Sequence, residues 1–329
     1  MEATTPTITL PSGQLTPVKT LTVLGTGAWG TSLAQLATEA GISTRSWSRR
    51  GELPLDAAVA DADVLLCAIS MKGVADLAGR LSDIGLPPRT ILVTATKGLD
   101  PKTTKTPSQL WQAAFPENPV VVLSGPNLSK EIDQGLPAAT VVASQDLAAA
   151  ETVQQIFAVE RFRVYTNTDP LGTELGGTLK NVMAIAVGVC DGLNLGTNAR
   201  SALITRALPE VIRVGTQLGA QPETFYGLSG LGDMLATCTS PLSRNYQVGF
   251  GLAQGKPLEQ ILEELGSTAE GVNTAHVLVK LANREAIPIP ISRQVHRLLN
   301  GTVTPLDAVT ALMERELKPE LCDIDESSD

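Results

Sequence analysis

The segment Thr20–Leu24 (TLTVL) runs directly into Gly25-Thr26-Gly27-Ala28-Trp29-Gly30. Apolar residues then recur at helical spacing through Leu33, Leu36, Ala37 and Ala40, and Gly41 ends the run. No other feature restricts the fold as much. A strand, a glycine turn and a helix in that order put a helix N-terminus at the C-terminal end of a strand, the opening unit of a doubly wound sheet. Gly25 allows the tight turn, Gly27 lets backbone approach a pyrophosphate, and Gly30 lets helix and strand pack closely. The unpaired N–H groups of Ala28, Trp29 and Gly30 then face an anion. Gly25, Gly27, Ala28, Trp29 and Gly30 are the expected dinucleotide contacts.

Further strands are predicted at Thr44–Ser48, Asp63–Ile69, Thr90–Thr96, Val120–Ser124, Ala139–Ser144 and Phe162–Thr166, with a helix over Gly73–Leu81 between two of them. Strands alternating with helices predict an α/β fold with a Rossmann-type, doubly wound parallel sheet. After Asp169-Pro170 the period becomes helical, so an all-α C-terminal domain follows. Its helix entered at Ser201 should kink at Pro209, whose ring denies a bond to the Thr205 carbonyl. Pro288 and Pro290 should separate a later helix pair. The expected organisation is a disordered Thr/Pro-rich extension over 1–17 whose loss matters little, a dinucleotide-binding domain over 18–171, a helical substrate domain over 172–318, and an acidic tail over 319–329.

The 329 residues carry a net charge of −9, which leaves no basic stripe for nucleic acid. No apolar run reaches the ~18–20 residues a membrane helix needs. Val182–Cys190 comes nearest and stops at Asp191. The N-terminus lacks the pattern of a secretory signal, so a cytoplasmic location is expected. Cys67, Cys190, Cys238 and Cys322 form no C-x-x-C pair, and His276 and His296 have no ligand spacing for zinc, so no metal site is expected. Gly227-Leu228-Ser229-Gly230 is not a nucleophile elbow, and no Walker loop occurs.

The chemistry is carried by ELGGTLKN (Glu174–Asn181) and LGDMLATCTSPLSRNYQVG (Leu231–Gly249). A lysine such as Lys180 can protonate a developing alkoxide. An arginine such as Arg244 can fork two hydrogen bonds onto a phosphate. Together they point to reduction of a small phosphorylated carbonyl compound. After Trp47-Ser48 stand Arg49 and Arg50, where an acidic residue would hold a ribose 2′-hydroxyl. Two arginines suit the 2′-phosphate of NADP instead, so NADP is the expected cofactor in preference to NAD.

Five motifs in order, GTGAWGTSLA, ATKGL (Ala95–Leu99), SGPN (Ser124–Asn127), ELGGTLKNVMAIAVG and GLSGLGD running into ATCTSPLSRN, resemble bacterial NAD(P)-dependent glycerol-3-phosphate dehydrogenases over residues 20–318. The resemblance implies reduction of dihydroxyacetone phosphate to sn-glycerol 3-phosphate, the backbone of phospholipids. It implies Lys180 as proton donor and acceptor, and Lys97 as a contact of both cofactor and substrate. It implies Gly125, Asn127, Asp233, Ser243, Arg244 and Asn245 around the substrate, with Arg244, Ser129, Thr268 and Glu270 also reaching the cofactor. A homodimer is a reasonable expectation. One departure is large: where the family carries a few tens of residues after the arginines, this chain has Gly51–Asp61, eleven residues, which opens the adenosine end. Two alternatives share the architecture: an NADP-dependent keto- or hydroxy-acid dehydrogenase, in which Arg244 would hold a carboxylate, and a nicotinamide-binding regulator without turnover.

Overall fold

The structure is a computed structural model that describes residues 6–9, 15–266, 269–317 and 319–320. The chain divides into two compact units, Met1–Thr178 with Ala220–Ala236, and Leu179–Gly219 with Thr237–Asp329.

The first unit opens with a two-stranded antiparallel hairpin, β1 (Thr7–Thr9) and β2 (Leu15–Pro17). There follow β3 (Thr20–Leu24), α1 (Ala28–Glu39), β4 (Ser43–Trp47), α2 (Leu55–Val59), β5 (Val64–Cys67), α3 (Val74–Ile84), β6 (Ile91–Thr94), α4 (Pro107–Ala114), β7 (Val120–Ser124), α5 (Ser129–Asp133), β8 (Ala138–Ala143), α6 (Leu147–Phe157) and β9 (Phe162–Asn167). Strands β3 to β9 form one sheet in the order β4-β3-β5-β6-β7-β8-β9. Side chains alternate between its faces with period two. Val64 and Leu66 pack with Leu33 and Leu36 of α1 and Val153 and Ile156 of α6, whereas Leu65 and Cys67 pack with Leu77 and Leu81 of α3 and Trp111 of α4. Burial on both faces explains why β5, β6 and β7 read as continuous apolar runs.

Two expectations are corrected here. The sheet is not wholly parallel: β8 runs antiparallel to β7, with Leu123 opposite Val142. Only the five-residue α5 lies in that connection, too little to form a full crossover helix back over the sheet. The extension is not disordered throughout. Thr152 of α6 donates to the Thr7 carbonyl at 2.6 Å, and the Val18 amide donates to Pro6 at 2.7 Å.

Helix α7 spans Pro170–Gly192, and the boundary between the units falls within it rather than before residue 172. Glycines bring its first turns close to first-unit backbone. A Cβ on Gly172 would collide with the Asp169 carboxyl, and one on Gly176 would lie 2.8 Å from the Ser229 carbonyl. Residues 220–236 return to this unit through a 3₁₀ turn (Pro222–Tyr226) and a π-helical turn (Leu228–Gly232). They lead into α9 (Asp233–Cys238).

The second unit is helical. It holds the later part of α7, α8 (Gly196–Gln217), α10 (Arg244–Ala253), α11 (Leu258–Leu265), α12 (Glu270–Arg284), α13 (Pro290–Leu299) and α14 (Pro305–Met313). A Cβ on Gly188 would collide with the Tyr246 carbonyl, and one on Gly249 with the Ile185 carbonyl, so α7 and α10 cross at backbone contact. Helix α8 starts five residues before the expected Ser201 and continues through Pro209 as one helix. Buried Glu210 receives the Ile291 and Ser292 amides at 2.8 and 2.9 Å and so caps α13. No helix among the described residues is long and apolar enough to cross a membrane.

Candidate active site

At the end of β3 the glycine loop has the shape its sequence requires. Gly25 has φ +121°, and a Cβ there would stand 2.6 Å from the Ala68 carbonyl, so the turns after β3 and β5 touch through backbone. A Cβ on Gly30 would collide with the Gly25 carbonyl, whereas one on Gly27 would meet nothing within 4 Å. Helix α1 begins behind Gly27 with no side-chain cap. The N–H groups of Ala28, Trp29 and Gly30 have no intrahelical acceptors. An open approach to an uncapped helix N-terminus fits a dinucleotide pyrophosphate. Beside the loop is a cavity of about 460 Å³ lined by Gly25, Trp47, Arg49 and Ile69 among others. Arg50, the second expected 2′-phosphate contact, is exposed and is not among the residues lining that cavity.

At the C-terminal ends of β6 and β7 the first unit assembles a polar cluster. Lys97 Nζ lies 2.5 Å from Asp233 Oδ2, with the Lys97 side chain 22% exposed and Asp233 2% exposed. A buried ion pair is a poor device for stability, because desolvating both charges offsets their attraction. The hydroxyl of Ser124 and Oδ1 of Asn127 are buried and have no hydrogen-bond partner. Buried polar atoms are nearly always satisfied, so two orphans in one turn mark room for a ligand's polar groups. Gly177 of α7 closes the cluster: a Cβ there would collide with Ser124 Oγ and stand 3.3 Å from Lys97 Cε. Asn127 Nδ2 donates to Thr140 Oγ1 at 2.8 Å, which fixes the turn after β7. A Cβ on Gly125 would approach the Thr140 Cα at 3.0 Å.

The segment bearing Lys97 is fastened to α7 by residues that motif reading did not single out. The Gly98 amide donates to Thr178 Oγ1 at 3.0 Å. The carboxylate of Glu174, one turn earlier on the same face, accepts from the Ser108 amide at 2.9 Å and from its hydroxyl at 2.5 Å. Glu174 thus caps α4, and burial pushes its carboxyl up to about 7 against the opposing Ser108 and Thr106 hydrogen bonds. The signal in the sequence was the i, i+4 pair Glu174/Thr178 within ELGGTLK.

In the second unit, Lys180 is 7% exposed and donates to Thr237 Oγ1 at 2.5 Å. Ser243 caps α10 by accepting from the Tyr246 amide at 3.3 Å. Arg244, the first residue of α10, is exposed and forms no ion pair among the described residues. An exposed cation beside the first amides of a helix can take an anion. Asn245 is buried: its amide nitrogen donates to Asn181 at 2.9 Å and its oxygen accepts from Gly271 at 3.0 Å. It ties α7, α10 and α12 together and keeps one N–H for a ligand. Glu270 is the first residue of α12 and half-buried, and Ser129 is the first residue of α5. Thr268 lies outside the described residues.

Cys67, Cys190 and Cys238 are buried thiols, and burial pushes Cys67 up to about 11, away from nucleophilic use. No group of three metal-ligating side chains occurs among the described residues.

Comparison with known proteins gives one consistent result. Residues 20–55 and 52–150 match the N-terminal part, and residues 169–310 the C-terminal part, of the NAD-dependent glycerol-3-phosphate dehydrogenase family. The chain is 69% identical over 304 residues to glycerol-3-phosphate dehydrogenase [NAD(P)+] of Acaryochloris marina, covering 92% of this chain and 98% of that one. It is 68% identical over 303 residues to the Synechocystis enzyme of the same name, covering 92% and 96%. The crystal structure of glycerol-3-phosphate dehydrogenase from Coxiella burnetii superposes with a TM-score of 0.87 at 32% identity, covering 91% of this chain and 99% of that one. With both parts of the family matched in order along one chain, this protein belongs to the NAD-dependent glycerol-3-phosphate dehydrogenase family.

Proposed function

We propose that this chain reduces dihydroxyacetone phosphate to sn-glycerol 3-phosphate with NADPH or NADH, supplying the glycerol backbone of phospholipids. The observation that carries the residue roles is the orphaned Ser124 hydroxyl beside the Lys97–Asp233 pair, closed over by Gly177.

The nicotinamide cofactor supplies the hydride when bound. The chain does the rest. Lys180 directs its ammonium at the carbonyl oxygen, stabilises the charge that develops there, and delivers the proton. Asp233, held by Lys97, accepts from the substrate hydroxyl and fixes the face presented for reaction. Ser124 and Asn127 complete the polar wall. Arg244 and the free amides at the start of α10 take the phosphate, a dianion that cancels the unfavourable placement of a cation there. Ala28, Trp29 and Gly30 hold the cofactor pyrophosphate, and Arg49 leads in holding a 2′-phosphate, which favours NADPH. The reading includes a cytoplasmic location and a homodimer, the latter checked by light scattering of the purified chain.

The test is substrate choice. Purified enzyme should oxidise NADPH rapidly with dihydroxyacetone phosphate and poorly with ketopantoate. Arg244→Ala should reduce kcat/KM for the phosphorylated ketone far more than for dihydroxyacetone. A faster reaction with the keto acid would assign the anion site to a carboxylate and displace this reading. Cofactor binding without turnover of any ketone would leave a regulator.

A further inference from the structure

The cavity beside the glycine loop is ringed by cations that the motifs do not account for. Arg49 enters from the end of β4, Lys72 from the turn Met71–Gly73 after β5, and Arg80 from α3. None of the three has an ion-pair partner among the described residues. Nearby Arg45 is paired with Asp61 at 2.8 Å. Asp76 lines the same cavity one turn before Arg80 on α3, yet forms no ion pair with it. The Arg80 guanidinium instead stands over the Trp47 ring, 5.4 Å from its centroid. That contact holds the charge at the cavity wall while leaving its N–H donors free. Helix α3 adds an N-terminus with no side-chain cap, immediately after Lys72.

Three cations and one carboxylate leave a surplus of two positive charges. A phosphate monoester carries about −1.5 to −2 near neutral pH. Apolar wall is supplied by Ile69 and Leu77. A cavity of about 460 Å³ lies in the range for small ligands, roughly 300–1,000 Å³. The connection Gly51–Asp61 is only eleven residues and contains the short α2, so Lys72 and Arg80 remain exposed at the opening.

We propose that Lys72 and Arg80, with Arg49, form the binding site for the adenosine 2′-phosphate and set the preference for NADPH over NADH. The inference rests on the cofactor lying at the Gly25–Gly30 loop, and it replaces Arg50 with two further residues that line the cavity. Arg49 and Lys72 approach the phosphate from β4 and β5, and Arg80 closes on it from α3.

Adenosine 2′,5′-bisphosphate and AMP differ only by the 2′-phosphate, so calorimetric titration of the full-length protein with each isolates this contact without turnover. The wild-type protein should bind the bisphosphate more tightly than AMP. Lys72→Gln and Arg80→Gln should each weaken bisphosphate binding about 2–5-fold, the range of exposed charge pairs, and leave AMP unchanged. The double variant should lose roughly 10-fold, and the losses should shrink in high salt. The ratio of kcat/KM for NADPH to that for NADH should fall by the same factor. Losses that affect both ligands equally would show that these side chains pack on the adenosine, and would overturn the proposal. A wild-type preference untouched by either substitution would return the 2′-phosphate to Arg49 and Arg50. Equal wild-type affinity for the two ligands would overturn the proposal and the NADPH preference together.

Discussion

A lysine that is 7% exposed within a helix incurs a desolvation cost that packing alone does not offset. Lys180→Ala should therefore leave fold and NADPH binding near normal while kcat falls by ~10²–10⁴, the span for a lost general acid. An unchanged kcat would take Lys180 out of the mechanism. Gly177 permits a sharper test of the polar cluster. Gly177→Ala suits a helix but places a methyl group on Ser124 Oγ and close to Lys97 Cε. Overpacking of that kind costs about 1–3 kcal/mol. The variant should lose kcat/KM for dihydroxyacetone phosphate, and full activity would show that the Ser124–Lys97 arrangement is not used. Lys97, Lys180, Asp233 and Arg244 were legible in the sequence because each sits in a motif with its own spacing. Ser124 and Thr237 were not, since a serine in a turn and a threonine in a helix are ordinary there, and only burial and pairing distinguish them.

The strands of the sheet were read closely from sequence, because runs such as Val120–Ser124 are apolar and β-branched, and Phe162–Asn167 starts with an alternation of buried and exposed positions. Direction was not readable: nothing in Ala138–Ala143 states that it runs against β7. Helix ends were also obscured, as at α8, where Gly196–Arg200 carries no core-facing periodicity. Glu174 shows how an element's chemistry emerges only in three dimensions. Its carboxylate caps α4 from α7, and burial raises its folded pKa to about 7 from an ordinary value near 4.5. A raised carboxyl pKa means that the native state holds the proton more tightly than the unfolded chain does. The associated stability is full below about 4.5 and is lost as pH rises through about 7. Glu174→Gln removes this titration while its amide oxygen still accepts from Ser108. The stability of the variant relative to wild type should thus rise by on the order of 2 kcal/mol between pH 5 and pH 8. Thermal unfolding of both proteins across that range checks it, and a difference that does not change with pH would mean that the carboxyl titrates normally.

At the scale of the molecule, the sequence period announced two kinds of architecture but not where one stops. The change to helical spacing after Asp169 marks the start of α7, whereas the compact units divide within that helix and residues 220–236 rejoin the first unit. Helical periodicity reports that a face is buried and is silent about which partner buries it. The same limit applies to the N-terminal extension. Its Thr/Pro composition suggests disorder, yet Thr7–Thr9 pairs with Leu15–Pro17 and Pro6 is buried. The hydroxyl of Thr152, 5% exposed, donates to the Thr7 carbonyl. Removing residues 1–17 takes away that acceptor and the Pro6–Val18 backbone bond. Net hydrogen-bond contributions are about 1 kcal/mol each, and each kcal/mol shifts the Tm of a domain this size by roughly 2–4 °C. The truncated enzyme should melt about 4–8 °C lower. None of the residues assigned to cofactor or substrate lies before Gly25, so its kcat and KM should match the full chain. Calorimetry beside steady-state kinetics separates the outcomes. An unchanged Tm would show that the hairpin adds nothing to the sheet's stability, and a loss of kcat at constant stability would give the extension a part in catalysis that its position in the fold does not suggest.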